Sequence, residues 1–487
     1  MNIYCINHKF LYETEKLLFL FLPFEKNTCL DTFQGDKGDY FYTSINHGAE
    51  KVSFKIEFSY NGQVKSGEKV LPTSLCTDEE YELLSLAYPI LKDVCGFAPE
   101  WGMLTGVRPS KLMLNKIEEL GEDGAKDYFT NRFFATPEKT DLAFSVANTE
   151  LKIIKASPEN SFSLYISIPF CPTRCSYCSF VSHAIGTDSA KKLVPQYVDK
   201  LCEELEFTAR RVKEVGLVLT TVYWGGGTPT TLSAEELDRV MTVIENNFDM
   251  TNCFEYTVEA GRPDTITKEK LLVLKKHGVN RISINPQTFS DSVLQEIGRR
   301  HTAELTVEKY KDARKIGFDS INMDLIAGLP TDTVEGFKNS VDKAISLGAE
   351  NITVHTLALK KSSTIVTENE RDSVNADNIG EMLAYSREVL TENGYKPYYM
   401  YRQSKALGNF ENVGWCKEGK ECAYNILMME EYQHIISVGA GAVTKLLSPG
   451  ITKIERVFNY KYPFEYISRF PELLKKKERI TSFFEEV

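Results

Sequence analysis

An α/β fold is predicted for most of the chain: a parallel sheet with helices outside it, either an open doubly wound sheet or a barrel. Three observations predict it. Between residues 164 and 357, short β-branched apolar segments alternate with amphipathic helical ones. Up to about residue 75 the pattern is strand-like and then turns helical, which reads as an N-terminal α+β domain. From about residue 365 one long helix and mixed strand-like segments form a C-terminal extension. A length of 487 residues supports two or three packed units. The expected divisions are 1–156 for the N-terminal domain, 157–364 for the strand–helix alternation and 365–487 for the C-terminal domain.

In order along the chain, Val52, Phe54, Ile56 and Phe58 alternate with Ser53, Lys55, Glu57 and Ser59, and Asn61-Gly62 supplies a tight hairpin turn. From Asp78 the period becomes helical, with Tyr81, Leu83, Leu84, Leu86 and Ala87 on the apolar face. A later helix starts at Thr136-Pro137, a cap followed by proline at the first helical position. The polar stretch from Ala156 to Ser161 reads as a linker. Beyond it the predicted strands are 164–168, 221–224, 254–258, 281–284, 321–326 and 352–357, with helices at 194–215, 234–248, 268–277 and 334–347. The long helix of the last part ends at Asn393-Gly394.

Composition narrows the function. A net charge of -11 argues against nucleic acid or an anionic membrane surface as the main partner, because both reward a basic face. The apolar run Leu17 to Pro23 is too short to span a bilayer, so no stable membrane insertion is expected. Eleven cysteines without a secretory signal suggest a reducing, cytoplasmic compartment, with thiols as ligands or core residues.

Cys171, Cys175 and Cys178 follow the first strand of the alternating region, with Pro169 and Pro172 on either side of Cys171. Prolines there stop a helix from starting, leaving a loop that can wrap around a ligand. Thiolates suit iron–sulfur clusters or zinc. Three thiolates leave one iron of a cubane cluster without a protein ligand, where a substrate can bind. Zinc would need a fourth ligand, for which His183 is the nearby candidate.

Gly225-Gly226-Gly227 ends the next strand, where the lack of a β-carbon permits close backbone approach to a ligand; a plain tight turn is the alternative. Glu259 and Asp324 sit at or near strand ends on the same predicted face and fit an ammonium and a ribose, although a lone acid there is often only a cap. Gln287 offers both donor and acceptor groups, and Arg299 a planar fork suited to a carboxylate. Arg300 and His301 read equally well as a solvated helix end. Cys202 and Cys253 read as core residues. Cys416 and Cys422 come nearer to a ligand spacing, but a second cluster would need more cysteines close by.

The Cys-x-x-x-Cys-x-x-Cys spacing resembles the signature of the radical S-adenosylmethionine (SAM) superfamily. Three stretches look like the oxygen-independent coproporphyrinogen III oxidase family: Tyr165-Ile166-Ser167-Ile168-Pro169-Phe170-Cys171, Trp224-Gly225-Gly226-Gly227-Thr228-Pro229-Thr230 and Asn322-Met323-Asp324-Leu325-Ile326-Ala327-Gly328-Leu329-Pro330. The resemblance covers about residues 163 to 360, and the whole chain looks most like that family's coproporphyrinogen dehydrogenase HemZ branch. It implies a partial (β/α) radical-SAM barrel that holds a [4Fe–4S] cluster on Cys171, Cys175 and Cys178. It further implies SAM contacts at Gly226, Gly227, Thr228, Glu259, Gln287, Arg299 and Asp324. Tyr165, at the catalytic position, and Tyr177 and Ala358 match further contact positions.

The implied activity is anaerobic oxidative decarboxylation of coproporphyrinogen III to protoporphyrinogen IX in haem biosynthesis. Its implied partners are a tetrapyrrole substrate and a low-potential electron donor such as flavodoxin or ferredoxin. Lys360, Lys361, Arg402 and Lys445 are candidate partners for the substrate carboxylates. Two departures stand out: Phe180 replaces a further cysteine of the oxidases, and Ser167 replaces a histidine. The Cys-x-x-x-Cys-x-x-Cys-x-Phe form is shared with a sister group of haem chaperones, whose His-Asn-x-x-Tyr-Trp motif here reads Tyr424-Asn425-Ile426-Leu427-Met428-Met429. His434 or Met428 could replace the lost axial histidine. A radical enzyme that methylates or opens haem is the third expectation.

Overall fold

The computed structural model describes all residues except 24, 34, 36–37, 181, 187, 359–375, 404–406 and 487. The chain forms two compact units, Met1–Phe144 with Arg402–Phe410, and Ser145–Tyr401 with Glu411–Val487.

The first unit contains β1 (Asn2–Ile6), α1 (Leu11–Phe21), β2 (Thr28–Leu30), β3 (Tyr40–His47), β4 (Lys51–Tyr60), β5 (Gln63–Pro72), α2 (Glu79–Cys95), α3 (Pro109–Asp127) and the start of α4 (Pro137–Ala156). Its sheet runs in the order β2-β1-β3-β4-β5. Val52, Phe54, Ile56 and Phe58 of β4 are each at most 1% exposed and pack with residues of α1 and α2. Positive φ at Asn61 (49°) and Gly62 (77°) forms the tight turn expected between β4 and β5. Asp78 caps α2 by accepting from the Tyr81 amide at 3.0 Å. The strand-like reading of the first 75 residues fails at α1. There Thr14, Leu17, Leu18 and Phe21 fall at i, i+3, i+4 and i+7 and are all buried, a helical face.

The second unit continues with β6 (Ser161–Ile168), β7 (Phe170–Cys171), β8 (His183–Ala184), α5 (Asp188–Glu214), β9 (Val218–Gly226), α6 (Ala234–Asn247), β10 (Glu255–Glu259), α7 (Lys268–Lys276), β11 (Arg281–Ser283), α8 (Asp291–Glu296), α9 (Ala303–Ile316), β12 (Ile321–Ala327), α10 (Val334–Leu347) and β13 (Asn351–Thr356). It is completed by α11 (Ala376–Glu392), β14 (Lys396–Arg402), β15 (Glu411–Cys416), α12 (Ala423–Glu430), β16 (His434–Val438), β17 (Val443–Leu447), β18 (Ile454–Phe458), α13 (Pro463–Ser468), α14 (Phe470–Lys477) and α15 (Arg479–Glu485).

Strands β6, β9, β10, β11, β12 and β13 are parallel neighbours, so each β-to-β connection carries its helix outside the sheet. β15 adds antiparallel beside β13, and β16 adds parallel beside β6. Among the described residues the sheet has β14 and β18 as its outer strands and does not close: it is a partial barrel.

Alternation along the strands sets the chemistry of the two faces. Leu164, Ile166, Val222, Trp224, Val258, Ile282 and Met323 are completely buried and share the apolar face. The alternate positions carry polar side chains, among them Tyr165, Tyr223, Glu259, Asn322, Asp324 and Thr353. An apolar outer face supplies the core, and the polar inner face is left for function.

A buried ion pair joins α5 to the end of α14: Glu204 and Lys477, both fully buried, lie 3.2 Å apart. Glu204 also accepts from the Gly439 amide (2.8 Å), Asn459 (2.8 Å) and the Tyr466 hydroxyl (2.6 Å). Lys477 donates to the Ser437 carbonyl and to Thr444. Substituting Lys477→Met strands the Glu204 charge, so urea denaturation should register a loss of about 3–5 kcal/mol. The double variant E204Q/K477M should recover part of it.

Candidate active site

The cysteine loop leaves β6 through Pro169. It is pinned on one side by the short β7–β8 pair, in which the His183 amide donates to the Pro169 carbonyl (2.8 Å) and the Ile185 amide to the Cys171 carbonyl (2.9 Å). On a second side, the Ser176 amide donates to the Ile297 carbonyl (3.1 Å) and the Thr173 hydroxyl to the Gly298 carbonyl (3.1 Å). The glycine turn closes the third side: the Gly227 and Thr228 amides donate to the carbonyls of Ile168 (2.8 Å) and Phe170 (2.7 Å). A β-carbon at position 227 would lie 2.5 Å from the Phe170 carbonyl oxygen and 3.0 Å from the Cys171 sulfur. Glycine is thus required here by the cysteine loop itself.

Burial pushes the Cys171 and Cys178 thiols up, and each is raised further by the nearby Cys175. The thiols thus act on one another electrostatically, although among the described residues no three such side chains are already gathered as a metal site; a metal centre bound there would neutralise them. The His183 ring packs edge-on against Tyr462 (6.2 Å) and Phe464 (6.4 Å), an aromatic setting that does not favour it as a fourth zinc ligand.

The remaining predicted residues line the inner face and the C-terminal ends of the parallel strands, the face where barrels of this kind carry chemistry. Tyr165 stacks with Tyr223 (6.3 Å) and Tyr424 (6.1 Å), and Tyr223 stacks on Tyr424 at 4.3 Å. Glu259 ends β10 and accepts from the Tyr223 hydroxyl at 2.7 Å. A β-carbon at Gly225 would stand 3.2 Å from both the Glu259 carboxylate and the Tyr165 hydroxyl, so these three positions converge. Burial, opposed by the Tyr223 hydrogen bond and aided by the Asp324 charge, pushes Glu259 up to about 7.

Asp324 lies in β12 and accepts from Asn285 (2.7 Å) and Asn322 (2.7 Å), with His355 at 3.7 Å. Burial acts to raise its pKa, but hydrogen bonds from His355, Asn322 and Thr353 hold it below the ordinary range. Gln287, after β11, has φ of 67°, a conformation unusual for a residue with a side chain, and its amide donates to the Asp324 carbonyl at 2.9 Å. Its Oε1 is buried with no partner among the described residues. Arg299 donates from Nη1 to the carbonyls of Asn285 (2.6 Å) and Gly261 (3.3 Å) and is hydrogen-bonded to Tyr177. Its Nε is likewise buried without a partner among the described residues. Ala358 follows β13 at the C-terminal end of that strand.

Several side chains outside the predicted set belong to this neighbourhood: Arg262 beside Cys175, Asn285 and His355 beside Asp324, and Tyr223 and Tyr424 beside Tyr165. A polar residue on an inward strand position or just past a strand end was the available signal for Tyr223, Arg262, Asn285 and His355. Tyr424 arrives from a remote helix and gave none.

The other candidate residues have different settings. His301 is no solvated helix end: its side chain is fully buried. Arg402 donates to the carbonyls of Leu104 (2.6 Å) and Gly106 (3.3 Å), and Lys445 pairs with Glu431 (3.4 Å), so both cations are engaged within the protein. Lys360 and Lys361 lie outside the described residues. Cys416 and Cys422 are buried in one apolar cluster with Tyr398, Tyr424 and Ile426, as core residues.

Residues 165–344 match the Radical SAM superfamily. An oxygen-independent coproporphyrinogen-III oxidase-like protein, HemZ of Bacillus subtilis (strain 168), is 39% identical over 393 residues, covering 80% of this chain and 78% of that protein. The chain belongs to the HemZ family of radical SAM proteins. Within this wider kinship, the haem chaperone HemW of Lactococcus lactis is 31% identical over 65% of this chain and 79% of its own. Among solved structures, coproporphyrinogen III oxidase (HemN) from Escherichia coli superposes with a TM-score of 0.52 at 24% identity, over 67% of this chain and 72% of that one, a likeness of fold.

As a radical SAM protein the chain uses a [4Fe–4S] cluster and SAM. The inner face of this HemZ-family barrel fits them. Three cysteines on one loop are a donor set that suits a cluster, while the partnerless Gln287 Oε1 and Arg299 Nε are buried polar atoms with capacity for a polar ligand.

Two outcomes follow from the geometry. Gly227→Ala should displace the cysteine loop, so that anaerobically reconstituted protein takes up clearly less iron while its circular dichroism is retained. Because Glu259 is raised from its ordinary 4.5 to about 7, its contribution to stability is complete below about pH 4.5 and is lost as pH rises through 7. Urea midpoints measured across that window should fall with rising pH, and Glu259→Gln should flatten the decline.

Proposed function

We propose that this protein catalyses oxygen-independent oxidative decarboxylation of coproporphyrinogen III to protoporphyrinogen IX, in porphyrin and haem biosynthesis. The observation that carries the reading is 39% identity, over four-fifths of the chain, to a coproporphyrinogen-III oxidase-like relative. It is supported by a polar barrel face that gathers Tyr165, Glu259, Gln287, Arg299 and Asp324 near the cysteine loop. In this reading Cys171, Cys175 and Cys178 hold the cluster. Gly226, Gly227 and Thr228 form the turn against which SAM lies, and Tyr177 and Ala358 complete its contacts.

When bound, the cluster and SAM supply a one-electron reductive cleavage whose adenosyl radical removes a hydrogen atom from the substrate. Each propionate that reacts would give a hydrogen atom to the adenosyl radical, release carbon dioxide and pass one further electron to a one-electron acceptor, either the oxidised cluster or an external oxidant, leaving a vinyl group. The chain's own residues orient these partners. Glu259 and Asp324 supply acceptors for cationic and hydroxyl groups, Arg299 meets a carboxylate, and Tyr165 stands beside Glu259 and the glycine turn with its ring held by Tyr223 and Tyr424. A low-potential donor such as flavodoxin or ferredoxin would deliver the electron.

The chaperone reading draws on the HemW relatives. Three observations weigh against an axial haem ligand here. Tyr424, at the position of the chaperone histidine, is buried in the tyrosine stack, and Met428 packs against the same cluster. His434 is buried, pushed down to about 4 by that burial, and its Nδ1 accepts from the Leu447 amide at 3.1 Å.

Anaerobic incubation of reconstituted protein with SAM, reductant and coproporphyrinogen III should yield protoporphyrinogen IX, carbon dioxide, methionine and 5′-deoxyadenosine, and Cys175→Ala should abolish all four. Formation of 5′-deoxyadenosine with unchanged porphyrin would contradict the substrate. Stoichiometric haem binding without turnover would favour the chaperone reading, and a methylated or opened ring the third.

A further inference from the structure

Arg262 lies just beyond β10, in Gly261-Arg262-Pro263-Asp264, and is 3% exposed. Its carbonyl is fixed by the Thr265 amide (2.9 Å) and hydroxyl (2.7 Å). Asp264 clamps the guanidinium from behind, accepting from Nε and Nη2 at 3.0 Å each. This two-point grip leaves Nη1 aimed forward, where it meets the Cys175 sulfur at 3.5 Å, the Thr173 hydroxyl at 3.2 Å and the Thr173 carbonyl at 3.4 Å. Behind Asp264 sits His301, its Nδ1 4.0 Å from the carboxylate and both ring nitrogens without a partner among the described residues. Burial and the Arg299 charge push His301 down to about 3, so the ring is neutral and adds no second cation behind the clamp.

We infer that Arg262 is a positioning residue for the redox step: it holds a fixed positive charge and a hydrogen bond against the Cys175 thiolate and so raises the potential at which the cluster accepts an electron. Hydrogen bonds to ligand sulfurs and net local charge are established controls of cluster potential, because the reduced cluster carries the greater negative charge. Arginine suits this role because it stays protonated, and its planar fork can satisfy a carboxylate on one edge while presenting an N–H on another. Asp264 makes the pair neutral overall, but the cation stands nearer the sulfur than the anion does, so the dipole favours reduction. The neutral His301 leaves that dipole uncompensated. The inference rests on Cys175 being a cluster ligand.

The test uses full-length, anaerobically reconstituted protein and two substitutions, Arg262→Gln and Arg262→Lys, with iron content and the cluster midpoint potential, followed by electron paramagnetic resonance (EPR), as readouts. R262Q with wild-type iron content should show a more negative midpoint and a severalfold smaller reduced fraction at a fixed reductant potential. R262K keeps the charge but cannot grip Asp264 at two points while reaching the sulfur, so its midpoint should fall between R262Q and wild type. An unchanged midpoint in iron-loaded R262Q overturns the inference. If R262Q takes up no iron, R262K decides: a wild-type midpoint there overturns the inference, and a negative shift supports it. Failure of the cluster assignment is distinguishable, because Cys175→Ala would then retain its iron.

Discussion

The close approach of the Gly225–Thr228 turn to the cysteine loop is the constraint on which the rest of the site depends. Two backbone hydrogen bonds, Gly227 to Ile168 and Thr228 to Phe170, bring the end of β9 against the chain leaving β6. They form only because position 227 carries no β-carbon. With that edge fixed, the loop is held on its other sides by the short β7–β8 pair, by the α8–α9 connection and by Arg262. A three-cysteine loop with little regular structure of its own is thereby given a defined shape by elements that are regular.

The second constraint is electrostatic. Parallel sheets covered by helices on both faces are ordinarily apolar on both. This partial barrel is apolar only on its helix-facing side. The inner polar groups largely satisfy one another, as in the Asn285–Asp324–Asn322 set and the Tyr223–Glu259 pair. Buried polar networks of this kind are stable when every member is paired. The atoms left over, Gln287 Oε1 and Arg299 Nε, flank the same set, and the positive φ of Gln287 is the backbone strain that often accompanies function. Glu259, raised to about 7, is poised to change charge with its surroundings.

Much of this was legible in the sequence because it is local. The strands of the parallel sheet, the cysteine loop, the glycine turn, Glu259 and Gln287 at or beyond strand ends, and Asp324 on an inward position of β12 each declare themselves within a short window. What was not legible arises where distant segments meet. Arg262 reaches Cys175 across 87 positions, and Tyr424 comes from a helix after the barrel to stack on Tyr165 and Tyr223. Arg402 and Lys445 looked available as surface cations because the sequence does not display the carbonyls and carboxylate that engage them. Helix α1 was missed because its apolar residues sit in a stretch flanked by strands, where the helical spacing covers only three turns.

The central claim is that Cys171, Cys175 and Cys178 hold a cluster whose open iron is met by SAM lying on the inner face of the barrel. The most direct measurement is the EPR spectrum of the reduced, reconstituted wild-type protein recorded with and without SAM. The account predicts a [4Fe–4S] signal whose g-values change when SAM is added. A signal that SAM leaves unaltered would contradict it.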